Sequence, residues 1–153
     1  MVLQEGQNLA DVRETDIVVG VDGSPSSKAA LRWALEQARR TGGRVQAIAA
    51  WEVPATYGWA PVFPYEDLAV TAGKVLGEAV LEVVGSGEPD VPVVESVVAG
   101  HPAQALLDAS VHAGLLVVGS RGHGAFAGTL LGSVSQHCVQ HARCPVVVVR
   151  GKG

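Results

Sequence analysis

Five short segments rich in apolar residues constrain the fold of this chain more than any other feature. They cover residues 17–21, 45–51, 91–99, 115–118 and 145–149. The runs at 17–21 and 115–118 are continuously apolar, and the run at 45–51 barely alternates, which is typical of a strand buried on both faces of a parallel sheet. The sequence therefore predicts five β-strands.

The segments between these strands have the period of amphipathic helices. Helices are predicted over residues 25–41, 65–84, 102–113 and 133–141, and Gly73 and Gly77 lower the regularity of the second. Ser24 and Pro25 suit the start of the first helix, and Gly42 suits its end. Because strands and helices alternate, we predict a three-layer α/β/α sandwich around a five-stranded, mostly parallel sheet.

The order of the strands determines where such a sheet binds a ligand. If the order is 3-2-1-4-5, the direction of the strand order reverses between the first and fourth strands. In parallel sheets, ligands bind at the carboxyl ends of the strands where this reversal occurs. Asp22 follows the first strand and Gly119 follows the fourth. The two residues would then face each other across one crevice.

Composition and charge exclude several classes of protein. The chain has 153 residues and a formal net charge of -4, so we expect one domain and no binding of nucleic acid. No apolar run approaches the ~20 residues of a membrane span, and residues 1–16 lack the apolar centre of a signal peptide. We therefore expect a cytoplasmic protein with a flexible segment at 1–15, a single domain at 16–150 and a tail at 151–153.

Two cysteines, Cys138 and Cys144, fit a reducing compartment. Their spacing matches neither a Cys-x-x-Cys redox pair nor a zinc site. We expect both to be small buried apolar residues.

Glycines and hydroxyls around the fourth strand form the strongest candidate for a ligand site. The motif consists of Gly119, Gly122, Gly132, Ser133, Val134 and Ser135. The first two glycines would leave room for a ligand beside the strand. The amides at the start of the fourth helix, with both serine hydroxyls, would donate to phosphate oxygens. In the alternative interpretation, Gly132 only precedes the helix and Ser133 caps it.

Two other features could complete this site. Arg121 and His123 are the basic residues of the loop and could offset phosphate charge, while Asp22 could accept hydrogen bonds from ribose or help to hold a metal ion. Asp22 could equally belong only to a turn. The aromatic and proline-rich stretch at 52–64 would cover the base of a nucleotide or form a surface loop.

Rival motifs are absent from the sequence. The loop has no lysine at the position that a P-loop requires, and its dinucleotide-like run at 122–127 does not follow the first strand. An aspartate that would indicate a response-regulator receiver is missing after the third strand. His137 and His141 lack the glutamate of a metalloprotease motif and are expected to be partly exposed.

The glycine pattern resembles the nucleotide signature of the universal stress protein family. The match covers about residues 16–150 and includes Val-Asp-Gly-Ser at 21–24, Gly-His-Pro-Ala at 100–103 and Cys-Pro-Val-Val-Val-Val at 144–149. Gly114 departs from the family, which commonly has an acid before the fourth strand, and this leaves the end of the third helix open. The resemblance implies a Rossmann-like fold of the adenine nucleotide alpha hydrolase-like type.

The same resemblance implies that the chain binds ATP. The implied contacts are the six motif residues and Asp22, with the backbone near Ala49 approaching the adenine. Mg²⁺ would be held through the phosphates, with Asp22 as the optional protein ligand and no other direct metal ligand.

The resemblance also implies a role as a stress-response regulator or sensor rather than an enzyme. A homodimer through the strand at 146–150 and an unknown protein partner are expected. A slow Mg-dependent ATP hydrolase and an interaction scaffold that binds no nucleotide remain as alternatives.

Overall fold

Strands and helices alternate along the chain. The computed structural model describes residues 12–52, 65–87, 89–122 and 131–151. The elements are β1 (Ile17–Gly20), α1 (Pro25–Thr41), β2 (Val45–Trp51), α2 (Tyr65–Val84), β3 (Val93–Ala99), α3 (Pro102–Ala109), β4 (Leu115–Gly119), α4 (Ser133–His141) and β5 (Val146–Val149). Most of the predicted flexible N-terminal segment, nearly all of the stretch at 52–64 and residues 152–153 lie outside the described residues.

The five strands form one parallel sheet in the order β3-β2-β1-β4-β5. This confirms the predicted strand order and the α/β fold. On β1, Ile17 and Val19 pack in the core beneath α1 and α2, and Val18 packs with residues of α3 and α4 on the opposite face. The chain therefore forms the three predicted layers, with an apolar core on each side of the sheet.

Local hydrogen bonds explain where the helices begin and end. The Ser24 hydroxyl accepts from the Ser27 amide at 3.3 Å and caps α1, and Gly42 ends that helix with a φ of +79°. The prediction that α3 continues to residue 113 is wrong, because α3 ends at Ala109. The Ser110 hydroxyl donates to the Leu107 carbonyl at 3.1 Å and so closes the helix there.

The predicted start of β3 at residue 91 is also wrong, since the strand begins at Val93. Pro92 has no N–H to donate to a neighbouring strand. Its carbonyl accepts from the Val45 amide at 2.9 Å just before the ladder begins.

Gly43 and Gly114 are required where the chain enters β1. A Cβ at Gly43 would lie 2.1 Å from the Thr15 carbonyl oxygen, and one at Gly114 would lie 2.1 Å from that of Glu14. No side chain fits at either distance. The departure from the family at Gly114 therefore reflects a close backbone contact, and it does not mark the end of α3.

A buried ion pair holds this end of the sheet. The carboxylate of Asp16 is fully buried and accepts from Arg44 at 3.0 and 2.8 Å, from the Gln46 amide group at 3.1 Å and from the Arg13 amide at 3.0 Å. Burial alone would raise the pKa of Asp16, but the hydrogen bonds, chiefly those from Arg44, outweigh it and hold this pKa below its ordinary value. Composition and periodicity gave no sign of this pair.

Both cysteines are free thiols that pack in the core beneath α3 and α4. Cys138 is buried, as predicted, while Cys144 is half-buried. Burial raises the pKa of Cys138 to about 11 and also raises that of Cys144.

Within the described ranges, none of the helices has the length and apolar character that a bilayer crossing requires.

Replacing Asp16 by alanine should lower the free energy of unfolding by about 3 kcal/mol, because the largely buried guanidinium of Arg44 then loses the carboxylate that balances its charge. The control is Asp90→Ala, which breaks an exposed ion pair with Arg39 and should cost far less. Urea denaturation of both variants measures the difference. Equal losses would contradict the structural role of the buried pair.

The same variant should change how stability depends on pH. Since the pKa of Asp16 is lowered on folding, its contribution is complete above the ordinary value of 3.8 and is lost as the pH falls through the lower folded-state pKa. Denaturation midpoints between pH 7 and pH 3 should therefore fall less steeply in Asp16→Ala than in the parent protein.

Candidate functional site

A cavity of about 400 Å³ opens between the carboxyl ends of β1 and β4, where the strand order reverses. The ends of these two strands and the segments after them supply much of its lining, and β2, the first turn of α1, α3 and α4 supply the rest. Of the predicted site residues, it is lined by Asp22, Gly119, Arg121, Gly122, Gly132, Ser133, Val134 and Ser135. The topology thus brings together residues that are more than 90 positions apart in sequence.

The turn after β1 holds Asp22 at the edge of the cavity. Its Oδ1 accepts from the Ser24 amide at 2.9 Å, and its own amide donates to the Ser27 hydroxyl at 3.3 Å. Gly23 completes the turn with a φ of +83°. The two interpretations of Asp22 are therefore compatible, because one carboxylate takes part in the turn and also lines the cavity.

Gly119 allows β4 to approach the first turn of α1. A Cβ at Gly119 would lie 2.5 Å from Ser26 Oγ and 2.7 Å from the Ser26 carbonyl carbon. The Ser26 hydroxyl donates to the Arg121 carbonyl just beyond. We expected this glycine to leave room for a ligand, and the structure shows that it also allows a close contact within the protein.

The absence of a side chain at Gly122 likewise allows a close approach, in this case to Asp22. A Cβ at Gly122 would lie 2.6 Å from Asp22 Oδ2. The absence of a side chain therefore lets the loop after β4 run directly beside the carboxylate. This contact joins the two segments that the sequence analysis placed on opposite sides of the crevice.

The start of α4 presents backbone amides to the cavity. Gly132 is the N-cap residue and has no side chain to cap the helix, and its own amide donates to the Ser120 carbonyl at 2.7 Å. Among the described residues, none accepts a hydrogen bond from the amides of Ser133, Val134 or Ser135. Such amides carry the positive end of the helix dipole and are suited to an anion.

The two serine hydroxyls at this helix start have different roles. The Ser135 hydroxyl is buried and lies 2.9 Å from the Ser120 carbonyl and 3.0 Å from that of Gly132. It therefore fixes the helix to the end of β4, whereas we had expected it to donate to a ligand. Ser133 is exposed and is one of the residues that line the cavity.

The opposite end of the cavity is apolar. It is lined by Ile48 and Ala50 of β2 and by Pro102 and Leu106 of α3. Sequence reasoning missed these four residues, because each fits an ordinary core or helix position. One signal could have found them. They lie on the side of the sheet, and on the helix, that adjoin the glycine and serine motif.

Ala49 lies on the other face of β2, where its side chain is buried in the core with α1 and α2. Its neighbours Ile48 and Ala50 line the cavity instead. The predicted approach of adenine to the backbone at this position stays a prediction.

Charged groups are few around the cavity. In the part of the chain that the structure describes, Asp22 and Arg121 are the charged residues that line it, and His123 lies outside that part. No group of three or more His, Cys, Asp or Glu residues that could hold a metal ion occurs among the described residues. His137 and His141 are exposed on α4, with ring centroids 4.5 Å apart.

Comparison with known proteins identifies the family. A sequence model of the Universal stress protein family matches residues 15–150. The chain belongs to the universal stress protein family. The universal stress protein Rv2005c of Mycobacterium tuberculosis is 38% identical to it over 148 residues, which cover 93% of this chain and 48% of that protein. This universal stress protein therefore spans about half the length of the curated relatives that it matches.

Solved structures of universal stress proteins share the fold. The protein UspA from Lactobacillus plantarum superposes with a TM-score of 0.71 at 23% identity, covering 92% of this chain and 100% of that one. Another universal stress protein, solved in complex with cAMP, superposes with a TM-score of 0.59 at 27% identity and covers 92% and 99% of the two chains. The fold of this universal stress protein is thus the Rossmann-like fold of its family.

Replacing Gly119 by alanine should lower the free energy of unfolding by about 2 kcal/mol, since the new methyl group meets the backbone of α1. The matched control is Gly132→Ala, because a Cβ at Gly132 would have its nearest contact at 3.3 Å. This substitution should lower the free energy of unfolding by less than about 1 kcal/mol. Urea denaturation measures both. Similar losses in the two variants would contradict the packing role of Gly119.

Proposed function

We propose that this universal stress protein binds an adenine nucleotide, ATP with Mg²⁺, in the cleft between β1 and β4. The bound state would change its contacts with a partner protein, so that it acts as a cytoplasmic sensor or regulator in the stress response. Binding of the nucleotide is then the function, and its hydrolysis is secondary. Rapid steady-state hydrolysis of ATP by the purified protein would contradict that part of it.

One observation carries the proposal: a single cavity has an apolar end and an end lined by helix amides. Ile48, Ala50 and Leu106 offer an apolar surface that suits a nucleobase. The amides of α4, with Arg121 as a cationic residue of the lining, offer donors and positive charge that suit phosphates. A nucleotide combines these two chemistries in one molecule.

The family supports the choice of an adenine nucleotide. A relative of known structure that is 27% identical to this chain was solved with cAMP, which is an adenine nucleotide. In this chain, ATP would extend from the apolar end of the cleft to the α4 amides. Mass spectrometry of ligand released from freshly purified protein would identify the nucleotide directly.

The donor set fits Mg²⁺ only as a companion of the nucleotide. Mg²⁺ is commonly held by one or two carboxylates together with substrate phosphates. Asp22 supplies a carboxylate at the cavity edge, and no larger cluster of metal-binding side chains occurs among the described residues. Asp22 and the phosphates would therefore hold the ion between them.

Replacing Ser133 by proline should weaken ATP binding by about tenfold or more, because it removes one amide from the phosphate end. Proline is well tolerated at the first position of a helix, and the extended backbone of Gly132, with φ of -75° and ψ of 170°, suits a residue before proline. Titration calorimetry with ATP and Mg²⁺ measures the effect.

The matched control is Ser133→Ala, which removes the hydroxyl and keeps the amide. A larger loss in the proline variant than in the alanine variant is expected if the amide binds phosphate. Equal affinity of the proline variant and the parent protein would contradict phosphate binding at α4.

We also propose that the protein forms a homodimer through β5. In the described sheet, β5 is an edge strand that pairs with β4 alone. The carbonyls of Pro145 and Val149 accept from Leu116 of β4 and from Ser120, which follows β4, so the amide of Val148 points to the open edge. A row of free backbone groups on an apolar edge strand favours pairing with a second copy.

Replacing Val148 by proline should convert the dimer to a monomer, since it removes an outward amide without breaking a bond to β4. The control Val148→Ala keeps this amide and should stay dimeric. Light scattering at micromolar concentration measures the mass of each variant. A parent protein that is a clean monomer at that concentration would contradict the proposed dimer.

A further inference from the structure

Gly20 and Leu106 meet at the apolar end of the cleft. Gly20 is the last residue of β1 and pairs in register with Ile48 of β2. On the other side of β1, the ladder with β4 continues towards Val118, since Val19 pairs with Val117. Gly20, Ile48 and Val118 all line the cavity, so they form a row across three strands with a gap at its centre.

The side chain of Leu106 fills this gap from above. A Cβ at Gly20 would lie 2.7 Å from Leu106 Cδ1 and 3.2 Å from Cδ2. Leu106 is only 4% exposed and packs against Val18 and Ile48 in the core. It reaches this position because the residue beneath it has no side chain.

A methyl group at Gly20 would displace the two Leu106 methyl groups rather than the backbone. The nearest contacts are the far ends of a flexible side chain, and the backbone of Gly20 does not have a positive φ. The neighbouring core is filled, and the open space beside Leu106 is the cavity itself. The displaced methyl groups would therefore move into the apolar end of the cleft.

We infer that the seating of Leu106 on Gly20 sets the depth of the apolar end of the cleft and thereby determines its affinity for a nucleobase. This inference rests on the proposed function. A flat, uncharged base binds through close contact with such a surface, so a shift of one or two methyl groups changes its affinity strongly. The donors for phosphate belong to α4 and to the loop after β4, so their affinity for phosphate is independent of this depth.

The test uses two ligands and three proteins. Titration calorimetry compares ATP with inorganic tripolyphosphate, each with Mg²⁺, on the parent chain, on Gly20→Ala and on Gly20→Ala combined with Leu106→Val. The double variant removes both Cδ atoms, which are the two atoms of Leu106 nearest to the new Cβ. It should therefore restore the depth of the cleft.

The expected result is a loss of about tenfold or more in ATP affinity for Gly20→Ala, unchanged tripolyphosphate affinity, and recovery of ATP affinity in the double variant. The inference is overturned if Gly20→Ala binds ATP as tightly as the parent, if both ligands weaken equally, or if the double variant does not recover.

A crystal structure of Gly20→Ala separates this inference from the proposed function. Displacement of the Leu106 methyl groups into the cavity would support the proposed contact between Leu106 and Gly20. This observation needs no nucleotide. Methyl groups that stay in place, or that move away from the cavity, overturn it. If the parent chain binds no ATP, the proposed function fails and the inferred role in base affinity fails with it, whatever the crystal structure shows of Leu106.

Discussion

The contact between the first turn of α1 and the segments that leave β4 and β5 is the constraint on which the cleft depends. Gly119 and Gly151 both approach Ser26 so closely that a Cβ on either would lie about 2.5 Å from a Ser26 atom. The Ser26 hydroxyl donates to the Arg121 carbonyl. Three chain segments are therefore held together at one serine, and their positions set the distance between Asp22 and the start of α4. A loosening at this point would widen the cavity at the end where we place the phosphates.

Periodicity was sufficient to predict most of the fold. Consecutive apolar residues and helical spacing predicted the nine elements found in the described residues, and the strand order 3-2-1-4-5 was confirmed. Errors arose where a single hydrogen bond or a missing donor decided the boundary, as at Ser110 and Pro92. The buried pair of Asp16 and Arg44 could not be predicted, because its partners become neighbours only when β1 and β2 pair.

The candidate site was predicted in part. The glycines and the α4 amides were found from their spacing, and the structure brings them to one cavity with Asp22. The apolar wall was missed because Ile48 and Leu106 have the same pattern as any core residue. The tertiary reason for the glycines was also missed, since the contacts of Gly119 with α1 and of Gly122 with Asp22 exist only after the sheet has formed.

The burial of Cys138 has a chemical consequence for a chain of this family. The reactive form of cysteine is the thiolate, and with a pKa of about 11 this sulfur stays protonated at neutral pH. The neighbouring Cys144 is shifted in the same direction. Peroxide and other electrophiles should therefore attack both positions slowly, so that an oxidising episode would leave the packing beneath α3 and α4 intact.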